Sequence, residues 1–289
     1  MFKIENKDLE VKIAAKGAEL QHIYHKGHKL EYMWKGDRSF WAKHSPILFP
    51  IVGTLKGYRY FYGGKEYSLS RHGFARDLEF DVVGKKDDFI EFVLVSDEKI
   101  KMIYPFEFKL AISYSLNENK LTTSYLITNA GEGDLYFSIG GHPAFAVPLV
   151  KDTEYEDYYL EFNKLETVPR WPISKDGLIE KKPIPFMDHE NRLKLSKKLF
   201  YQDAIVLKHL ASDTVSLKSL KTSHGFDFSF GGFPYLGIWA ARDADFVCIE
   251  PWCGIADGVD SDQELTHKEG INKLEAGNQF ERTWSVSVH

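Results

Sequence analysis

A chain of 289 residues, 43% hydrophobic and 15% aromatic, is long and apolar enough to bury a large core, which excludes a disordered polypeptide. Its 42 acidic against 37 basic residues and net charge of −5 leave out the basic footprint of a general nucleic-acid binder and suit a small, locally recognised ligand. Residues 1–13 alternate charged and apolar groups rather than forming a signal peptide, and no stretch approaches the roughly 18 apolar residues of a membrane helix; a soluble, cytoplasmic protein with no membrane partner is expected.

In chain order, the elements are nearly all strands. Residues 58–70, centred on Gly63-Gly64, read as a hairpin, because paired glycines supply turn conformations between apolar runs. Residues 89–95 form a strand, and residues 108–128 form two strands broken at Asn117-Glu118-Asn119. Further strands are expected at 134–140, 158–162, 204–208, 215–220, 226–230, 236–240, 246–250 and 280–288. Helical periodicity is almost absent, with short helices expected only at 196–200 and 261–268. The fold class is therefore all-β, a large antiparallel β-sandwich, read as one domain over residues 1–289.

Side chains two apart on a strand share a face. On this basis His142 shares its face with Gly140, Ser138 and Tyr136, small or polar neighbours that leave room for a ligand. His72 shares its face with Ser70 and Ser68. Glu250 follows Cys248 and Phe246, an apolar setting that disfavours the charged carboxylate and raises its pKa. By themselves these patterns support a β-sandwich with a polar cleft, since a histidine or glutamate at a strand end is also a common structural residue.

Cys248 and Cys253 are too few for a disulfide framework and lack the C-x-x-C spacing of redox or zinc sites, so both are expected as packed thiols. His22, His25 and His28 form the only histidine cluster in sequence, but their odd spacing on a strand would separate neighbours onto opposite faces, and no H-E-x-x-H or Cys/His ligand pattern occurs. Neither a catalytic metal nor a cofactor is expected.

Five segments in order, residues 45–53 (SPILFPIVG), 71–76 (RHGFAR), 140–145 (GGHPAF), 202–207 (QDAIVL) and 248–252 (CIEPW), together with the ending LEAGNQ and WSVSV, resemble the aldose 1-epimerase (galactose mutarotase) superfamily, especially its bacterial LacX-like branch. The resemblance spans essentially the whole chain. It implies a multi-sheet sandwich with a sugar cleft on the concave face of one sheet. It also implies roles: Glu250 as general base on the anomeric hydroxyl, His142 as general acid on the ring oxygen, and His72 as a second histidine holding the substrate. Asp203 would bind sugar hydroxyls, Arg71 and Arg76 would flank the cleft, and Trp252 and Phe145 would offer apolar surface to the sugar. Galactose mutarotases carry an Asn-Arg pair soon after the Pro-x-x-Gly segment, where this chain has Thr54-Leu55-Lys56. Lys56 in place of that arginine would exchange a planar two-pronged donor for a point charge, which removes the basis for assigning galactose.

The implied reaction interconverts the α and β anomers of an aldohexose. A proton leaves O1, one reaches the ring oxygen as the C1–O5 bond opens, and closure after rotation about C1–C2 reverses the roles. An ionised Glu250 and a protonated His142 would meet this demand near neutral pH. Three other readings compete: a sugar-phosphate mutarotase using Arg71, Arg76, Lys56 and Arg59; a non-catalytic sugar-binding protein; and a glycosidase using Glu250 and Asp203 as its carboxylate pair. The sugar, the anomer preference and the oligomeric state, with a homodimer among the options, are left open.

Overall fold

The computed structural model describes residues 1–289. Nine strands form the largest sheet, in the spatial order Ile184–Lys194, Tyr158–Arg170, Thr214–Ser219, Phe226–Ser229, Gln279–Val288, Lys120–Asn129, Phe108–Asn117, Phe89–Val95 and Asp81–Lys85. A six-stranded sheet carries Ile205–Lys208, Tyr235–Trp239, Phe246–Cys253, Ile139–Gly141 and Ile47–Leu48 in order, with Ala144–Ala146 also paired to Phe246–Cys253. A four-stranded sheet opens the chain with Phe2–Glu5, Leu9–Ile13, Leu20–His25 and Leu30–Glu31. All these pairings are antiparallel. The fold is the expected large antiparallel β-sandwich.

The hairpin Phe108–Asn117 with Lys120–Asn129 shows why the chain folds this way. Ten residues of each strand pair in unbroken register, from Phe108 opposite Asn129 to Asn117 opposite Lys120. Glu118 makes the reversal at φ 52°, and the second strand alternates buried and half-buried residues along its length, so Leu121, Tyr125 and Ile127 enter the core. Each large apolar side chain buried in this manner contributes about 1.5–3 kcal/mol. The core draws on all three larger sheets, from Ile4 and Val11 through Phe92 and Leu160 to Phe246 and Val288.

Several elements depart from the expectation. The single α-helix, Glu98–Ile103, is capped by Asp97, whose carboxylate accepts the Ile100 N–H at 2.8 Å; six residues are too few to show a helical period. The expected strand at 134–140 divides at Ser138, whose N–H is donated to the Pro50 carbonyl at 2.7 Å instead of to a sheet partner. Its halves join different sheets, Leu135–Phe137 beside Asn272–Leu274 and Ile139–Gly141 in the six-stranded sheet. Strand Ile184–Lys194 went unread because it is mostly exposed and interrupted by Pro185. The expected helix at 261–268 is a 3-10 turn at Leu265–His267, and that at 196–200 is one at Lys197–Phe200.

Candidate active site

Strand Phe246–Cys253 is buried along its whole length and runs through the middle of the six-stranded sheet, which gives the site a rigid floor. Glu250 projects from it, opposite Gly237 on the neighbouring strand. Trp252, two residues on, lies over the same face. Its indole occupies the space that a Cβ on Gly237 or Gly140 would fill, at 2.3 and 2.7 Å respectively, so both positions need glycine.

His142 follows strand Ile139–Gly141 and meets this face from the other side. Its Nε2 lies 3.3 Å from Oε2 of Glu250. Trp41 stacks on the imidazole at 4.9 Å between ring centroids, and Trp239 meets it edge-on at 5.6 Å. Burial dominates the electrostatics of both partners. It pushes the Glu250 carboxyl up to about 8, against the pull of Arg71, and pulls the His142 imidazolium down to about 3. Burial therefore works against the expected ionised Glu250 beside a protonated His142 in the ligand-free site, favouring a proton on the Glu250 carboxyl beside a neutral imidazole. The ionic arrangement is the tautomer reached by moving that proton to His142 Nε2.

His72 is not on a strand. It sits in a tight turn with φ 68°, so the face it was expected to share with Ser68 and Ser70 does not exist. The following Gly73 approaches the Phe49 carbonyl so closely that a Cβ would lie 2.3 Å from its oxygen. His72 N–H is donated to the Gly53 carbonyl at 2.8 Å, and the Gly53 N–H is donated back to His72 Nδ1 at 3.0 Å. This reciprocal clamp leaves Nε2 to carry the proton of the neutral ring, which faces the site. The Arg71 Nε–H at 3.3 Å from Nε2 is then a close donor-to-donor approach, because a neutral imidazole has only one acceptor nitrogen. Burial and the nearby His142, Arg71 and Arg76 hold His72 neutral. The two imidazoles meet edge to face, 5.8 Å apart.

The cavity over these groups has a volume of about 460 Å³, within the usual range for small-molecule sites of about 300–1,000 Å³. Arg71, Arg76, Asp203 and Trp252 also line it. Arg71 reaches Asp203 at 3.8 Å, and Asp203 is held at φ 75° with its carboxylate accepting the Ala204 N–H at 2.7 Å. Arg76 donates to the Arg71 carbonyl at 2.8 Å, while its Nε is buried without a hydrogen-bond partner. The structure thus brings Glu250, His142, His72, Asp203, Arg71, Arg76 and Trp252 to one hollow.

Two expected site residues lie elsewhere. Phe145 is fully buried and packs against Phe226 at 4.2 Å and Phe228 at 5.9 Å. Three residues past His142, it points to the opposite face of the sheet, into the core. Phe145→Ala should therefore cost about 3–5 kcal/mol of stability, the usual loss for a buried Phe, measured by denaturant unfolding. A purely kinetic defect in a fully stable protein would contradict this placement. Lys56 does not line the cavity; its ammonium donates to the Ser261 carbonyl at 3.0 Å. The histidine cluster also differs from expectation, since the turn after Leu20–His25 stacks His28 on His25 at 3.8 Å with His224 nearby, whereas His22 pairs with Glu31.

Trp41, Trp239, Asp257 and Lys268 were missed. The tryptophans carry no motif that separates them from core residues. Asp257 and Lys268 form an ion pair at 2.7 Å with side chains only 3% and 2% exposed. Asp257 also accepts the Lys56 N–H at 2.9 Å, donates its own N–H to the Thr54 carbonyl and receives the Ile179 N–H on its carbonyl. It thereby ties together three loops whose residues Val52, Gly53, Ile179 and Ala256 form one wall of the cavity. Asp257→Asn would leave the Lys268 charge buried and unpaired, at a cost of about 3–5 kcal/mol. The expected outcome is a lower melting temperature with a raised KM and an unmoved pH profile; a changed pH profile would place Asp257 in the chemistry itself.

Comparison with known proteins shows the family. A profile of the family described as aldose 1-epimerase matches residues 1–270. The chain belongs to the aldose 1-epimerase family. Among its relatives, the plasmid-borne Protein LacX of Lactococcus lactis subsp. lactis is 31% identical over 297 aligned positions, covering 99% of each chain. A galactose mutarotase related enzyme from Lactobacillus acidophilus superposes with TM-score 0.94 at 34% identity, covering 100% of this chain and 97% of that one. A galactose mutarotase-like protein from Lactobacillus casei gives TM-score 0.94 at 33% identity with full coverage of both. Within this aldose 1-epimerase family scaffold, no helix is long and apolar enough to cross a membrane.

Proposed function

We propose that this chain is an aldose 1-epimerase that interconverts the α and β anomers of an aldohexose, with Glu250 and His142 as its acid/base pair. The observation that carries the reading is their contact: two buried proton-transfer groups 3.3 Å apart on the wall of a sugar-sized cavity. Mutarotation needs one group to accept the O1 proton and another to serve the ring oxygen. Both oxygens are bonded to C1, so the two groups must be close neighbours. Glu250 takes the O1 proton and His142 protonates the ring oxygen. The positive field of Arg71 favours the carboxylate, and hydroxyl donors of a bound sugar act in the same sense. His72 presents its Nε2–H to the substrate, Asp203 and Arg71 take ring hydroxyls, and Trp252 supports the apolar ring face.

Because the working pair contains a single proton, two titrations bound its activity. A second proton on His142 inactivates it at acid pH, and burial moves that step far below the ordinary histidine range. Loss of the remaining proton from Glu250 inactivates it at alkaline pH, near the about 8 to which burial raises this carboxyl. The expected kcat/KM profile is a plateau through neutrality that falls on the alkaline side. A profile that falls already between about pH 6.5 and 4.3, the ordinary His and Glu values, would mean that both groups titrate as exposed residues.

Polarimetry on freshly dissolved α-anomers of free and phosphorylated aldoses tests the substrate. Arg71 and Arg76 on one wall favour inclusion of hexose 6-phosphates in the panel, since guanidinium suits phosphate geometry. Acceleration on free hexoses supports the reading as stated; acceleration confined to phosphorylated sugars would replace the substrate while keeping the chemistry.

A further inference from the structure

Cys248 belongs to neither the acid/base pair nor the cavity lining, yet it lies two residues before Glu250 on the same strand and face. Its Sγ, His142 Nε2 or Nδ1, and a Glu250 carboxylate oxygen all lie within 4.8 Å of one another, and all three residues are buried. Ala144, two residues after His142, pairs directly with Cys248, so Cys248 and Glu250 share one strand while His142 sits in the two-residue link between two short strands that both pair with it.

The geometry points to an inhibitory binding site for a borderline-soft divalent cation such as Zn²⁺, held by His142, Cys248 and Glu250. Nitrogen, sulfur and carboxylate oxygen are the ligands zinc takes, and three protein ligands with an open fourth position make up the coordination set of many zinc sites. With bonds of about 2.0–2.2 Å in a tetrahedral array, two light ligand atoms stand about 3.3–3.5 Å apart; the His142–Glu250 separation is 3.3 Å. Hard Mg²⁺ and Ca²⁺ prefer oxygen-only shells and are not favoured here. The cavity above supplies the fourth position as water. Binding displaces to solvent both the thiol proton of Cys248 and the single proton shared by His142 and Glu250, and it occupies the lone pairs that these two groups would use for proton transfer. Occupancy by the metal is independent of the proposed reaction, whereas its inhibitory consequence rests on that reading.

The test adds Co²⁺ to the apoprotein as a spectroscopic substitute and Zn²⁺ for activity. One equivalent of Co²⁺ should give a thiolate-to-metal charge-transfer band that Cys253→Ser retains and Cys248→Ser loses. Zinc-edge X-ray absorption on the wild-type protein, which needs no variant, should find one sulfur among light scatterers. One equivalent of Zn²⁺ should lower mutarotation by about 10²-fold or more, the share of acid/base catalysis it blocks, and a chelator should restore it. Absence of stoichiometric binding, a shell without sulfur, or a band that survives Cys248→Ser overturns the site. A sulfur-containing shell with undiminished mutarotation would keep the metal site and remove the acid/base roles of His142 and Glu250.

Discussion

Glu250→Gln should lower kcat and kcat/KM together by about 10²–10⁴-fold, the usual contribution of one positioned general base. Glutamine keeps the shape of the side chain but can neither accept nor give up a proton at working pH. Burial of Glu250 at 2% exposure makes the isostere well suited to this test, because a smaller residue would also open a cavity. The interaction removed is one made in the transition state, so KM should stay near its wild-type value. The rate of optical-rotation change in freshly dissolved sugar reads the effect. Retention of full activity would remove Glu250 from the mechanism.

His142→Gln is expected to cost a similar factor, about 10²–10⁴-fold. Its amide nitrogen can occupy the region of Nε2, and its length allows a hydrogen bond to Glu250, but it cannot carry a proton to the ring oxygen. The two residues act as a unit around one shared proton, so the double variant should be scarcely slower than either single one. Multiplicative losses would indicate that each group serves a separate step.

The parts of the fold legible in the sequence are those whose local period matches their final packing. In Phe89–Val95 the residues Ile90, Phe92 and Leu94 share a buried face, and Lys120–Asn129 alternates buried and half-buried residues, because one sheet face meets the core, and this period is visible before folding. The break at Ser138 was not legible, since it depends on the Pro50 carbonyl, 88 positions earlier in the chain, capturing the Ser138 amide. The same limit applies to the site. Glu250 was readable as a carboxylate ending an apolar strand, and the direction of its pKa followed from that. Lowering of the His142 pKa requires knowing that Trp41 and Trp239 close over it, which no nearby residue signals. Phe145 was misplaced because the GGHPAF motif places it beside His142 in sequence, while the sheet sends it to the opposite face. Asp257 and Lys268 are eleven residues apart and look like ordinary solvent-facing charges until the loops bring them together inside.

The claim that Glu250 and His142 exchange protons with O1 and O5 of one ring is tested most directly by following anomer exchange at equilibrium, where no net conversion obscures the rate. Saturation transfer between the α and β anomeric proton resonances of an aldohexose, with catalytic amounts of protein, should grow in proportion to wild-type concentration and vanish into the uncatalysed background with Glu250→Gln. Exchange no faster than buffer for every free and phosphorylated aldose tried, or equal exchange from wild type and variant, would contradict it.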